Sequence, residues 1–201
     1  MKLGLENRLR VISLLPIIVL FSITSYYVYD AFSSYRAASQ LRENLQQNVL
    51  LNEIVTNVAR ERGMSAMYLG NKTDNIFKSL KEQRSVVDGK AQKYISYAQA
   101  QMAETSNEAD KEKLSLKINN VISSMEKIKS TRLLVNEHKI EFAEMFNNVY
   151  NPIQERFVKQ LGQIAENQVD KEISSLYNIY YGMANAKESS GIERAYVSYT
   201  V

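Results

Sequence analysis

Four arginines stand where a helical pattern calls for apolar side chains: Arg62, Arg84, Arg132 and Arg194. Helical steps back from Arg62 meet Val58, Val55 and Leu51, and steps forward meet Ala66 and Leu69. From Arg194 the same steps meet Ser190 and Gly191, then Met183, Tyr180 and Leu176, with Val197 and Val201 ahead. Arg132 continues the stripe Ile118, Val121, Met125, Ile128 and is followed by Val135; Arg84 lies among Phe77, Leu80, Val87 and Ala91. Residues at these spacings share one face of a helix. A guanidinium does not give up its proton, so on a buried face it must be paired. It either meets a carboxylate of its own chain or holds an anion from outside. The planar fork of an arginine suits planar or trigonal oxygen ligands, and two or three such forks can neutralise a small oxyanion in a helical core.

The acids nearby separate the four cases. Arg84 has Asp88 one turn on, which favours an internal pair. Arg132 has no acid within a turn, since Lys129, Ile128, Val135 and Asn136 occupy the positions three and four away. Glu61 and Glu193 adjoin Arg62 and Arg194. Sequence neighbours point about 100° apart on a helix, so these glutamates pair more easily with another helix. The competing account of all four is structural: an arginine at the edge of an apolar stripe, its head reaching water, or paired across a bundle.

Other chemistry finds no residues to carry it. There is no serine–histidine–acid set, no phosphate loop and no metal-ligand spacing. The chain has no cysteine and one histidine, which removes thiolate chemistry and histidine-rich metal sites. That histidine, His138 between Glu137 and Lys139, reads as a residue of a solvated face. The 13 tyrosines read as packing residues, with Tyr180 and Tyr181 placed to lend a hydroxyl near the second motif. No cofactor is expected, and the segment is read as a binding domain and not an enzyme. A net charge of +3, from basic residues spread along the chain, is too mild for a nucleic-acid partner.

The elements that position the arginines are helices. With 2 prolines and 7 glycines the chain has little punctuation for a many-stranded sheet, and its 45% hydrophobic share supports a packed core. No stretch alternates with a period of two for long. A first helical run carries Leu41, Leu45, Leu51, Ile54, Val55 and Val58 towards Leu69. A turn follows at residues 70–74, with Thr73 or Asp74 as the next helix cap. A second helix carries Ile76 to about Met102, and residues 105–110 form the next break. A third carries Leu114 to Val135. After Phe142, Met145 and Val149, Asn151-Pro152 is expected to break or kink the path. Phe157, Leu161, Ile164 and Ala165 follow, and then Ile173 to Ala184 lead into the Gly191 motif. The expected fold is all-α: an N-terminal transmembrane helix, then long antiparallel helices in one or two four-helix bundles.

Residues 11–29 carry no charge and are mostly apolar. At 1.5 Å per residue this stretch reaches about 28 Å, close to a bilayer's hydrocarbon core. Lys2, Arg8 and Arg10 precede it, Asp30 follows, and Tyr26, Tyr27 and Tyr29 sit where an interfacial aromatic belt belongs. The positive-inside rule predicts a cytoplasmic segment 1–10, a membrane span 11–29 and an extracytoplasmic domain 30–201. A cleaved signal peptide is disfavoured by poor small-x-small triplets and the bulky residues 26–30. The helical pattern runs to Val201 without a cap, from which the chain is expected to be the N-terminal part of a longer protein.

Two motifs resemble a known family. Arg60-Glu61-Arg62-Gly63-Met64-Ser65-Ala66 resembles the first signature of the NIT domain, the nitrate- and nitrite-sensing domain of bacterial receptors. Lys187-Glu188-Ser189-Ser190-Gly191-Ile192-Glu193-Arg194-Ala195 resembles its second, with Ala195 where the first motif has glycine. Gln83-Arg84 with Asp88, and Arg132, also fall where the family has similar residues. The resemblance covers about residues 45–201. It implies two side-by-side four-helix bundles, with nitrate or nitrite held between helices by arginines: Arg62 and Arg194 first, then Arg132, then Arg84. It implies an output such as a chemoreceptor, histidine kinase, antiterminator or cyclic-dinucleotide enzyme, and a homodimer in the inner membrane. The alternative reading is a membrane-anchored helical scaffold with no small ligand.

Overall fold

The computed structural model describes residues 5–163 and 171–200, and every element among them is helical. The chain divides into two compact units, residues 1–45 and 46–201, to both of which the first helix, α1 (Leu5–Gly70), contributes.

In the first unit the apolar side chains of residues 14–35, from Leu14 to Tyr35, are exposed. The helix is long and apolar enough to cross a membrane by length and composition. Ser22 Oγ and Thr24 Oγ1 donate to the carbonyls of Ile18 and Leu20, both at 2.8 Å. This satisfies the hydroxyls within the helix, as a hydrocarbon environment requires.

In the second unit α1 supplies Leu50, Leu51, Ile54, Val55, Val58 and Ala66 to the core. After the turn comes α2 (Asp74–Glu104), capped by Thr73, whose Oγ1 accepts from the Ile76 amide. Next is α3 (Glu108–Asn136), capped by Asn107, whose Oδ1 accepts from the Ala109 amide at 3.0 Å. The expected buried stripes of both are observed: Leu80, Val87 and Ala91 on α2, and Ile118, Val121, Met125, Ile128 and Val135 on α3. Helix α3 ends with His138 in the left-handed region at φ 51°, and the Lys139 amide reaches back to the Leu134 carbonyl at 2.8 Å. His138 is half-buried with its ring 4.9 Å from that of Tyr68, so it departs from the solvated face expected of it.

The fourth layer is α4 (Phe142–Glu144), a π-helix π1 (Met145–Tyr150) and α5 (Asn151–Gly162), running on without a break. The expected break at Asn151-Pro152 is therefore absorbed. Pro152 sits in the first turn of α5, where a missing amide is tolerated. The Asn148 carbonyl, four residues before the proline, accepts from Lys127 Nζ at 2.8 Å. Polar ties join the layers. Gln154 Nε2 donates to the Val55 carbonyl at 2.8 Å and Asn48 Nδ2 to the Leu161 carbonyl at 3.3 Å. Gln160 receives Asn120 Nδ2 and gives to the Tyr94 hydroxyl, linking α3, α5 and α2. Burial pushes the Tyr94 hydroxyl up to about 12, so it stays neutral.

The last helix, α6 (Lys171–Thr200), packs on this core through Tyr181, Ala184, Ile192, Ala195 and Tyr199, and Tyr177 is also buried. Tyr196 and Tyr199 meet the rings of Phe142 and Phe146 at 4.2–5.3 Å. The buried face is one residue away from the expected one. Leu176, Met183 and Val197 are exposed, and with them Arg194. The proposed core residues Ile164 and Ala165 lie outside the described residues.

Gly70, closing α1, lies against the Tyr199 backbone, where a Cβ would collide with the carbonyl. Gly70→Ala is expected to lower stability by roughly 1–3 kcal/mol, the usual range for overpacking. A thermal melt of the variant that superimposes on the parent would contradict this close approach.

Candidate anion-binding site

Glu61 and Arg62 are consecutive on α1 and both are fully buried, yet they point into different parts of the bundle. Glu61 faces α2, α3 and π1. Arg132 forks onto it, Nε to Oε1 and Nη2 to Oε2, both at 2.8 Å. Arg132 Nη1 also reaches both oxygens of Asp88, at 2.9 and 3.0 Å, and Nη2 lies 3.4 Å from the Arg84 carbonyl. The Tyr150 hydroxyl donates to Glu61 Oε1 at 2.8 Å. Arg84 Nε stands 3.8 Å from the same oxygen, and its Nη1 donates to Asn136 Oδ1 at 2.6 Å.

The electrostatics follow from this geometry. Burial works to lower the Arg132 pKa, but hydrogen bonds and charge from Glu61, then Asp88, outweigh it and hold the value above that of an ordinary arginine. Burial lowers Arg84, partly offset by Tyr150 and Glu61. Tyr150 is pushed well above the usual phenol value by burial and then by the Glu61 charge, so it acts as a neutral donor. The pairing expected between Arg84 and Asp88 is replaced: Asp88 serves Arg132 across the bundle. The expectation that Glu61 finds its partner on another helix is met.

Arg62 points the other way, towards α5 and α6. Its Nη1 donates to Asn151 Oδ1 at 2.8 Å and to Glu188 Oε1, and its Cζ lies 5.0 Å from the centre of the Phe146 ring. Nε and Nη2 are buried without a hydrogen-bond partner among the described residues. An unsatisfied buried donor on a charged group costs more than a neutral one, so this edge of the fork is a standing demand for an acceptor. Gly191 makes room for it: a Cβ there would stand 3.1 Å from Arg62 Nη2.

Gly191 also lines a groove of about 360 Å³ between α1 and α6. Among the described residues, three cationic ones, Arg60, Lys187 and Arg194, line it against a single carboxylate, Glu188. Lys187 Nζ donates to Thr56 Oγ1 at 2.7 Å, and Arg194 Nε lies 3.4 Å from the Ser190 carbonyl of its own helix. The two signature motifs thus meet across one groove: Arg194 lines it, while Arg62 is buried against Gly191 and is not itself part of the lining. Arg132 and Arg84 are gathered on the opposite side of α1, around Glu61.

Sequence reasoning did not single out Asn151, Phe146, Tyr150 or Glu188. Glu188 had a signal, since it precedes Gly191 by three residues and so shares its helix face. The π1 contacts had none, because periodicity of 3.6 does not describe that turn.

The helical bundle, the candidate membrane helix and the meeting of the two motifs describe a sensor domain of a signalling protein. The family model for nitrate and nitrite sensing matches residues 53–201, and the chain belongs to that family. No curated protein and no solved structure matches the chain.

Glu61→Ala would strand Arg132 and the Tyr150 hydroxyl in the core. A loss of about 3–5 kcal/mol is expected on urea denaturation, the range for breaking a buried ion pair. Asp88→Asn, at a position with 42% side-chain exposure, should cost much less. Equal costs for the two would refute the central position of Glu61.

Proposed function

We propose that the chain is the nitrate- or nitrite-binding part of a transmembrane receptor, and that the anion binds in the groove between α1 and α6. The observation that carries this reading is the unpartnered edge of Arg62, fully buried and set against Gly191 on the groove floor. Arg62 and Arg194 hold the anion from below and above, with Arg60 and Lys187 adding positive charge. A trigonal oxyanion can accept in-plane hydrogen bonds from the Nε–Nη2 edge, which is the geometry of a bidentate guanidinium contact. Arg132 and Arg84 contribute at one remove, by fixing Glu61 and so the rotation of α1.

Signalling follows from binding between two helices. An anion that bridges α1 and α6 favours the arrangement in which both motifs reach it, and shifts the population by its difference in affinity for the two arrangements. Helix α1 carries both the apolar span and Arg62. We take the N-terminus to be cytoplasmic, the domain to be extracytoplasmic, and the receptor to work as a homodimer with its output elsewhere in the protein.

The test is a thermal melt of the chain in detergent with nitrate, nitrite, chloride or sulfate at matched ionic strength. A selective shift for nitrate or nitrite is expected, equivalent to about 2.7 kcal/mol at a hundredfold excess over Kd. Arg62→Ala and Arg194→Ala should abolish it while leaving the helical circular dichroism intact. A selective shift retained in both variants would move the site elsewhere. A melt indifferent to every anion would favour the scaffold reading, in which the arginines serve internal pairs alone.

A further inference from the structure

Glu188 neutralises Arg62 from Nη1, an arm it shares with Asn151, and leaves the Nε–Nη2 edge open. It accepts from Arg62 Nη1, its side chain is 14% exposed, and among the described residues it is the only carboxylate lining the groove. It belongs to the second signature motif, on the same face of α6 as Gly191. Glu188 also lines a second cavity, of about 730 Å³, together with residues of α5 and α6. The lining of that cavity is mixed, with Asn151, Lys159, Asn178 and Asn185 beside the carboxylate of Glu155 and the apolar Val158 and Ile192. The Glu188 carboxylate therefore lines both spaces, one cationic and one in which amides and a lysine accompany a second carboxylate.

We propose that Glu188 is a built-in competitor for the anion: its carboxylate neutralises Arg62 in the ligand-free state, and an incoming oxyanion displaces it into the neighbouring cavity. This rests on the groove being the anion site. Charge makes the competition unavoidable. Two anions on one guanidinium repel each other in a region of reduced dielectric, so the ligand must either share Arg62 at a penalty or remove Glu188 from it. The displaced carboxylate is not left bare, because the second cavity offers amide donors and the Lys159 ammonium. The exchange moves a side chain of α6 relative to α1 and Asn151, and so couples occupancy of the groove to the packing of α6. Glu188 sets affinity through Arg62, and its carboxylate would also discourage ligands too weakly charged to compete for the fork.

Calorimetric titration of the full chain in lipid nanodiscs with nitrate, against chloride at equal ionic strength, tests this. Glu188→Gln keeps shape and hydrogen bonding but removes the charge. It should bind nitrate roughly tenfold or more tightly than the parent while melting at a lower temperature without nitrate. Glu188→Asp, which keeps the charge on a shorter arm, should gain less and serves if the glutamine variant does not fold. A merely structural Glu188 predicts the opposite sign, a weaker nitrate affinity along with the lower melting temperature. Parent binding with unchanged or weaker binding in the folded variants would overturn the competitor role alone. No nitrate binding in parent or variants would overturn the groove as the site, and this proposal with it.

Discussion

The burial of the Glu61 carboxylate is the constraint on which this bundle is arranged. A carboxylate with no exposed surface must be matched by charge and by hydrogen bonds on both oxygens. Arg132 supplies the bidentate match from α3, Tyr150 a hydroxyl from π1, and Arg84 a second positive charge from α2. Three neighbouring layers are thereby fixed to one turn of α1. The rotation of α1 is then no longer free. With Glu61 committed inward to α2 and α3, the next residue must face α5 and α6, and that residue is Arg62. The unpartnered guanidinium edge is thus held in place by an ion pair on the other side of the same helix.

That division also explains why four arginines with one sequence signature have different surroundings. Arg132 spends its donors on Glu61, Asp88 and a carbonyl. Arg84 lies within reach of the same glutamate, although its Nε and Nη2, like those of Arg62, have no hydrogen-bond partner among the described residues. Arg62 has one arm occupied and one edge open. Arg194 lies near the surface beside Gly191. Charge, burial and partner geometry separate them, whereas spacing along a helix treats them alike.

Much of this was legible in the chain. The all-helical architecture, the Thr73 cap and the buried stripes of α2 and α3 follow from period, punctuation and capping residues. The two motifs, widely separated in sequence, do meet. What stayed hidden has physical causes. The stripe through Arg194 lies one residue off the buried α6 face: Tyr177 and Ala195 are buried and Tyr181 and Ala184 half-buried, while Leu176, Met183 and Val197 are exposed; hydrophobicity alone cannot rank tyrosine and alanine above leucine and methionine. Asp88 was assigned to its local neighbour Arg84 because a single sequence shows acids along a helix and not across a bundle. The proline at position 152 reads as a break because its lost hydrogen bond is visible, while the lysine that serves the orphaned carbonyl is 21 residues away from it, on α3.

The π-turn has a further consequence for how this protein can change over evolutionary time. In π1 the amide of Asn151 bonds the carbonyl of Phe146, five residues back. The surplus residue in that turn brings Phe146, Tyr150 and Asn151 to bear on adjacent positions of α1: Tyr150 on Glu61, Phe146 and Asn151 on Arg62. Deleting one residue there would restore an ordinary α-helical turn and rotate everything after it by about 100°. The partner of the structural glutamate and the partners of the open arginine would leave together. Indels in this stretch therefore cannot retune the groove while sparing the core, and lineages are left with substitution as the route by which one can vary without the other.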